Sequence, residues 1–569
     1  MPPREFKQVS AGSRPGGTRR GRGPRFDHST KAPPADILQA GTCMKNKRPL
    51  TVAQAPSDHA APSRGLRRYL LLTACVSGAA IMIVEILGAR MLAPYFGTSH
   101  FVWTAQIAVT LAALALGYYA GGRLVDRSAR LGRLYLAILA AAVGLVATVA
   151  VRQWLAYRLL PLPLPAGSLL AAVCLFFIPL LLLAMTGPFL VRVVAQSLSM
   201  VGGTVGRISS ISTLGSFIGT AAIGYLLIPL VPNSWTMYGT AAVLALVSAI
   251  YFLFWGRTRR ALAGVTLCLV AGAGVGWYGT TVDGPRLPAG EELYRGNSGF
   301  GMIQVVQTRQ LPYRYYLTDY LIQNVYDTTL GTSTAMFTYM LEDLARAYVP
   351  RLDDVLCIGM GIGIVPRELA AAGSRVDVVE INPAVVNVGR AWFGLDTSAF
   401  NLTIGDGRWF LNRTRSKYDA VILDAFVGDG TPSHLMSREA FEAMRRVLKP
   451  DGALVINTFV DFDSPGDYMG ASLYKTLSAV FPSVRIHGAR GSNTLFVASL
   501  RSPLTVLHEP DYGRVHPDAV HEVRSAFERT LEPDLGTGIV LTDDFNPVEY
   551  YDAGNREKLR RTLALSMRK

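Results

Sequence analysis

The chain has 569 residues and a formal net charge of +15 at pH 7; half of its residues are hydrophobic and only 17% are charged. That length exceeds what one ordinary core fills, and a mean hydropathy of +0.27 is too high for a wholly soluble enzyme. The positive charge gathers in residues 1–68 and in short loops between apolar stretches. That is a pattern of membrane topology rather than of a nucleic-acid groove, so no nucleic-acid partner is expected.

Residues 1–65 (SRPGGTRRGRGPR, KAPPAD) hold too few large apolar side chains to offset the entropy of ordering, so a disordered basic tail is expected. The tail lacks the apolar run of a signal peptide, and Met44, followed by KNKRP, is an alternative start. Seven apolar stretches then run over 69–92, 101–122, 134–151, 166–191, 208–231, 238–255 and 261–279. Each reaches or approaches the roughly 20 residues that cross about 30 Å of hydrocarbon, so a lipid bilayer is the expected partner of region 66–280.

Cations alternate between the loops. Arg64, Arg67 and Arg68 precede the first stretch; Arg123, Arg127, Arg130 and Arg133 fill the second loop. Arg192 and Arg207 lie in the fourth loop and Arg257, Arg259 and Arg260 in the sixth, whereas the third holds only Arg152 and Arg158. A multi-pass cell-membrane protein with a cytoplasmic amino terminus follows. Seven crossings would leave the rest of the chain outside; if the Gly-rich seventh stretch merely lies in the interface, the rest returns to the cytoplasm, and both readings stay open.

Glu85 and Arg90 are ionisable groups within the first stretch, at a spacing poorly suited to one helix face. For Glu85 a structural partner and a transport or ligand role are both open, while Arg90 is placed to snorkel at the helix end. The spacings Gly117 to Gly121 and Gly215 to Gly219 fit close helix packing. The five cysteines form no disulfide or metal spacing, and no metal is expected.

Past Thr280 the pattern changes. GMIQVVQT, YRYYLTD and YLIQNVYD predict a small antiparallel β-subdomain over 290–330, and a helix is expected at 333–348. A larger domain over 331–555 begins with DDVLCIGMGIGIVPRELAAAG, which reads as buried strand, glycine loop and helix. Gly359, Gly361 and Gly363 give G-x-G-x-G, with Ile364 where the dinucleotide fingerprint has its third glycine. Such a loop lets backbone approach a ligand where side chains would collide.

Glu380 ends the next strand, roughly 20 residues on, where a carboxylate accepts hydrogen bonds from ribose hydroxyls. NLTIGDGRWFL puts Asp406 and Gly407 at a third strand end, suited to an adenine amine; KYDAVILDAF ends in Asp424, and ALVINTF supplies a fifth strand. Four strand-end signals in this order indicate an α/β class I Rossmann-like, methyltransferase-like domain that binds an S-adenosyl-type nucleoside, joined to an α-helical multispan membrane domain.

These residues resemble the spermidine synthases, the polyamine aminopropyltransferases, and within them the membrane-fused multispan branch. The resemblance rests on LTDYLIQN, GMGIGIVPREL, VVEINPAVV, GDGRWFL and YDAVILDAF, with VEILGARMLAPYFGTS and ISTLGSFIGTAAIGYLLIPL in the membrane part. It implies transfer of an aminopropyl group from decarboxylated S-adenosylmethionine, a co-substrate and not a permanently bound cofactor, to putrescine. It implies Asp424 as the proton acceptor, Gln323 and Tyr339 near the amine or the nucleoside, and, by analogy with soluble members, a homo-oligomer.

The chain departs from the family where the amine binds. Ile362 replaces an aspartate inside the glycine loop, Val427 stands where the second aspartate of Asp-x-x-Asp-Pro belongs, and Gly301 takes the place of a glutamine. Asp429 is a candidate substitute two positions on. His434 invites a catalytic role, and Asp543, Asp544 and Glu549 form an acidic group that could fold over the pocket. Two alternatives therefore accompany the expected activity: an S-adenosyl-dependent transferase with another acceptor or a methyl transfer, and a non-catalytic transporter or sensor with a nucleoside-binding domain.

Overall fold

A computed structural model describes residues 63–195, 201–257, 259–281, 290–426, 430, 432–460, 462, 468–489, 493–533, 536–550, 557, 560 and 561. The expected tail up to residue 62, Met44 and Asp429 lie outside the described residues. Among the described residues, seven helices are long and apolar enough to cross a membrane: α1 (Arg64–Phe96), α2 (His100–Arg127), α3 (Leu131–Leu159), α4 (Leu164–Val194), α5 (Val201–Leu230), α6 (Asn233–Phe254) and α7 (Arg259–Thr281). In hydrocarbon every backbone N–H and C=O must be satisfied within the segment, which is why such stretches form helices.

Pro179 in α4 and Pro229 in α5 each follow a wider π turn, Val173–Phe177 and Ile223–Leu227. A proline ring crowds the carbonyl four residues back, and the wider turn absorbs that clash without ending the helix. The two glycine spacings are both helix contacts. A Cβ added at Gly215 or Gly219 would stand 2.0 Å from the Cys75 carbonyl oxygen or 2.6 Å from that of Ala79, so α5 lies directly on α1. Gly117 and Gly121 set α2 on α4 in the same way. Glu85 is half-buried in α1, with no ion pair to Arg90 among the described residues.

Beyond the helices, β1 (Gly290–Ser298), β2 (Gly301–Thr308), β3 (Tyr313–Thr318), β4 (Leu321–Asp327) and β5 (Thr332–Ser333) form an antiparallel sheet in sequence order. The larger sheet has the order β11-β12-β10-β9-β6-β7-β8. Its strands are β6 (Asp354–Ile358), β7 (Arg375–Glu380), β8 (Asn401–Ile404), β9 (Tyr418–Leu423), β10 (Leu448–Thr458), β11 (Ser483–Gly488) and β12 (Thr494–Ser499). β6 to β10 are parallel, and β12 and β11 continue the sheet antiparallel.

Helices cover both faces, as a parallel sheet with near-continuous apolar strands requires. α8 (Met336–Tyr348), α9 (Ile364–Ala371) and α10 (Pro383–Trp392) share one core with Val355, Cys357 and Val455. α11 (Gly407–Arg413), α12 (Arg438–Val447) and α13 (Tyr468–Ser478) pack on Leu356, Val421 and Leu454 on the other face. The expected helix, strands and antiparallel β-subdomain are all present. Strand order reverses between β6 and β9, and a crevice opens there at the carboxyl ends of the strands.

Candidate active site

The glycine loop bridges β6 and α9 under tight constraint. Gly359 has φ +93°, and an added Cβ would lie 2.1 Å from the Asp424 carbonyl oxygen. The ends of β6 and β9 are drawn together there, since Asp424 N donates to the Ile358 carbonyl at 2.9 Å. Gly361 has open space where its Cβ would be and lines the pocket. Gly363 caps α9 from the left-handed region and does not line the pocket; a Cβ there would strike Leu395 at 2.3 Å.

Glu380 and Asp406 face the pocket from the next two strand ends. Glu380 is buried, and its two oxygens accept from Met360 N at 3.0 Å and Asn382 N at 2.8 Å. Burial raises its pKa, and those N–H donors only partly offset the rise. Asp406 caps α11 by accepting from Trp409 N at 2.8 Å, and its other oxygen meets His434 Nε2 at 2.8 Å. Burial works against its ionised form, but the Trp409 N–H and His434 prevail and hold the carboxyl below its usual range. His434 thus lines the pocket as the partner that steadies Asp406. Gly407 lines it too, packed so closely on Ile358 that a Cβ would come within 2.5 Å of Cγ2.

Asp424 follows β9 and is held by a relay of amides. Asn493 Nδ2 donates to Asn457 Oδ1 at 2.9 Å, which turns the Asn457 amide so that its Nδ2 donates to Asp424 Oδ1, also at 2.9 Å. Burial pushes the Asp424 carboxyl up to about 6, against the Asn457 hydrogen bond, which favours the ionised form. The aromatic rings of Phe426 and Phe459, centroids 4.9 Å apart, line the same side of the pocket. The crevice therefore has one side built by Gly359, Gly361, Glu380, Asp406 and Gly407, and an amide and aromatic side, with Asp424 between them.

Gln323 lines the pocket from β4. Tyr339 does not: its hydroxyl donates to the Ser333 carbonyl at 2.6 Å and bonds Thr332 Oγ1 at 3.0 Å, and its helix neighbours Phe337 and Thr338 supply the wall. Asp543 accepts hydrogen bonds from Arg408 in α11, at 2.9 Å, and from Ser437 just ahead of α12; neither it nor Asp544 nor Glu549 lines the pocket. Asn457, Asn493, Phe426, Phe459 and Phe300 were not picked out from the sequence. For Asn457 a signal existed, a polar residue at the end of the buried strand ALVINTF, in the position that drew attention to Glu380 and Asp424 on their own strands.

Comparison with known proteins places this crevice in a family. The Spermine/spermidine synthase domain matches residues 335–485. The polyamine aminopropyltransferase of Vibrio vulnificus (strain CMCP6) is 30% identical over 223 residues, covering 37% of this chain and 74% of that enzyme. Putrescine N-methyltransferase 2 of Nicotiana attenuata is 34% identical over 126 residues, covering 21% of this chain and 34% of that protein. Among solved structures, spermidine synthase from Thermotoga maritima aligns over 41% of this chain and 84% of its own with 21% identity and a TM-score of 0.34. With three quarters of the Vibrio enzyme covered at that identity, and with the glycine loop and the Asp424 strand end inside the matched domain, the chain belongs to the spermine/spermidine synthase family and is an enzyme of the aminopropyltransferase class.

Proposed function

We propose that this chain transfers the aminopropyl group of decarboxylated S-adenosylmethionine to putrescine, giving spermidine and methylthioadenosine, as a multi-pass cell-membrane protein with a cytoplasmic amino terminus. The observation that carries the reading is Asp424, a carboxylate raised toward neutrality where the side built by the glycine loop, Glu380 and Asp406 meets the amide and aromatic side. Glu380 and Asp406 serve the ribose and adenine, and Gly361 leaves room for the nucleoside. Gln323 and Asp429 are assigned to the acceptor amine, whereas Tyr339 braces the turn ahead of α8.

The sulfonium is already activated, so the protein has two tasks: to align the amine with the C–S bond and to take its proton. Asp424 takes a proton from the substrate ammonium, which frees the nitrogen lone pair; the amine then attacks the methylene next to sulfur, and the C–S electrons pass to sulfur. An ammonium pKa on the order of 10 lies about six units above an ordinary aspartate. A carboxyl at about 6 narrows that gap to about four units. The remainder is small enough for the proton to pass to Asp424 ahead of the attack that forms the C–N bond.

Purified full-length protein given both substrates should form methylthioadenosine, with kcat/KM falling tenfold per unit below a pH of about 6, where Asp424 takes up its proton. Tight binding without product would sink the proposal. Replacing Asn457 with Ala removes the donor that favours ionised Asp424, so the acid limb should move upward. The expected size is about one to two pH units, because a hydrogen bond to a charged group is worth roughly 1.5–3 kcal/mol and one unit is about 1.4 kcal/mol. A limb that stays at about 6 in that variant would deny the relay its role.

A second reading, methyl transfer to an amine on the same fold, is favoured by the likeness to the Nicotiana N-methyltransferase. The same assay separates the two. S-adenosylhomocysteine formed from S-adenosylmethionine, with no methylthioadenosine from the decarboxylated donor, would select the second.

A further inference from the structure

The catalytic domain sits on one particular end of the helix bundle. Asn297 in β1 donates to the Val231 carbonyl, between α5 and α6, at 2.6 Å. Arg561 donates to the Leu160 carbonyl, between α3 and α4, at 2.7 Å. Arg560 reaches the Pro94 carbonyl, near the end of α1, at 3.4 Å. Tyr550 stacks on His100, the first residue of α2, with ring centroids 5.8 Å apart. All four contacts fall where α1, α3 and α5 end and where α2, α4 and α6 begin.

The arginines gather at the opposite end. Arg64, Arg67 and Arg68 precede or open α1, Arg127 closes α2, and Arg130 and Arg133 stand at the start of α3. The fourth and sixth loops add theirs at that same end, whereas the domain-bearing end has Arg90 near the close of α1 and Arg152 and Arg158 near the close of α3. The Lys/Arg bias of short loops sets orientation, so the arginine-rich end is cytoplasmic.

We infer that the catalytic domain and its pocket stand on the non-cytoplasmic face of the membrane, seated on the helix ends, and draw their amine and nucleoside from that side. α7 runs the length of the bundle, because Tyr238 near the start of α6 donates to the Gly276 carbonyl near the end of α7 at 3.3 Å, so the chain leaves α7 at the domain-bearing end. The pocket is itself close to these contacts. Phe300 lines it three residues after Asn297, and Thr318 lines it next to Asp319, whose carbonyl accepts from Arg560 at 3.1 Å. The inference about orientation rests on charge and docking alone; the inference about substrate source also rests on the transfer reading above.

Two single-cysteine variants of the full chain, made in a background with Cys43, Cys75, Cys174, Cys268 and Cys357 all replaced by Ala or Ser, test the orientation: Arg351→Cys on the exposed surface of the catalytic domain and Asp126→Cys at the close of α2. A membrane-impermeant maleimide added to intact cells stripped of any outer envelope should label Arg351→Cys and reach Asp126→Cys only after the cells are opened. The reverse pattern overturns the inference. The charged donor and putrescine, added outside the same cells, should yield methylthioadenosine in the medium. External labelling of Arg351→Cys without product would overturn the transfer reading and leave the orientation standing.

Discussion

Asp424→Asn should keep the fold and the nucleoside site while kcat/KM for aminopropyl transfer falls by about 10²–10⁴-fold, the usual contribution of a positioned general base. The amide occupies the same volume, and its oxygen can still accept from Asn457 Nδ2, so the relay from Asn493 survives. What disappears is the ability to take a proton. Stability should move the other way. A carboxyl whose folded-state pKa is raised penalises the folded state increasingly as pH rises from the unfolded value of about 4, and in full above the folded value of about 6. The neutral amide removes the penalty, so at pH 7 to 8 the variant should melt at or above the wild-type temperature, with the advantage shrinking as pH falls through about 6 toward 4. Activity measured with both substrates and a thermal scan at two pH values check the two halves of this expectation. Full activity would remove Asp424 from the chemistry, and a variant that loses activity only because it unfolds would leave it a structural residue.

The helices and the central strands were legible because each leaves a period or a run in the sequence. Seven apolar stretches match seven helices, and the strand ends at Glu380, Asp406 and Asp424 all face one crevice. The pair β11 and β12, however, follows the fifth strand without a comparable strand-end motif in the sequence. Asn493, just ahead of β12, therefore had no place in the expected site, and its role appears only when β12 pairs with β10 and brings it to Asn457.

Tyr339 shows a different limit. Motif resemblance places a helix beside the pocket but does not fix its rotation, and one residue turns a side chain by about 100°. Thr338 and Phe337 consequently face the pocket while Tyr339 turns to Ser333. His434 carries no local signal of its partner, because Asp406 lies in a separate loop and only the packing of α11 and α12 brings the two within 2.8 Å. In the membrane region, loop charges gave an orientation, but the sequence alone did not show which end of the bundle carries the catalytic domain. The hydrogen bond from Asn297 to Val231 does.

Gly359→Ala and Gly361→Ala should fail in opposite ways, although both place a methyl group in the same short loop. At Gly359 the new Cβ would meet backbone, the Asp424 carbonyl oxygen at 2.1 Å and its carbon at 2.7 Å, so no side-chain rotation relieves the clash. The φ of +93° adds strain of about 1–2 kcal/mol for any L side chain. Together with overpacking of about 1–3 kcal/mol, the loss is about 2–5 kcal/mol, read as a thermal midpoint lower by roughly 5–20 °C. Relief requires β9 to shift away from β6, which carries Asp424 with it. A displacement of about 1 Å at a reacting group costs about 100-fold in kcat. At Gly361 the φ of +54° costs a similar 1–2 kcal/mol, but open space surrounds the new methyl, so the midpoint should fall by only a few degrees. That methyl instead projects where the loop lines the pocket, so KM for the nucleoside should rise while kcat at saturation holds. Equal losses of stability in the two variants would contradict the close approach of the β6 and β9 ends, which is the contact that sets Asp424 in the crevice.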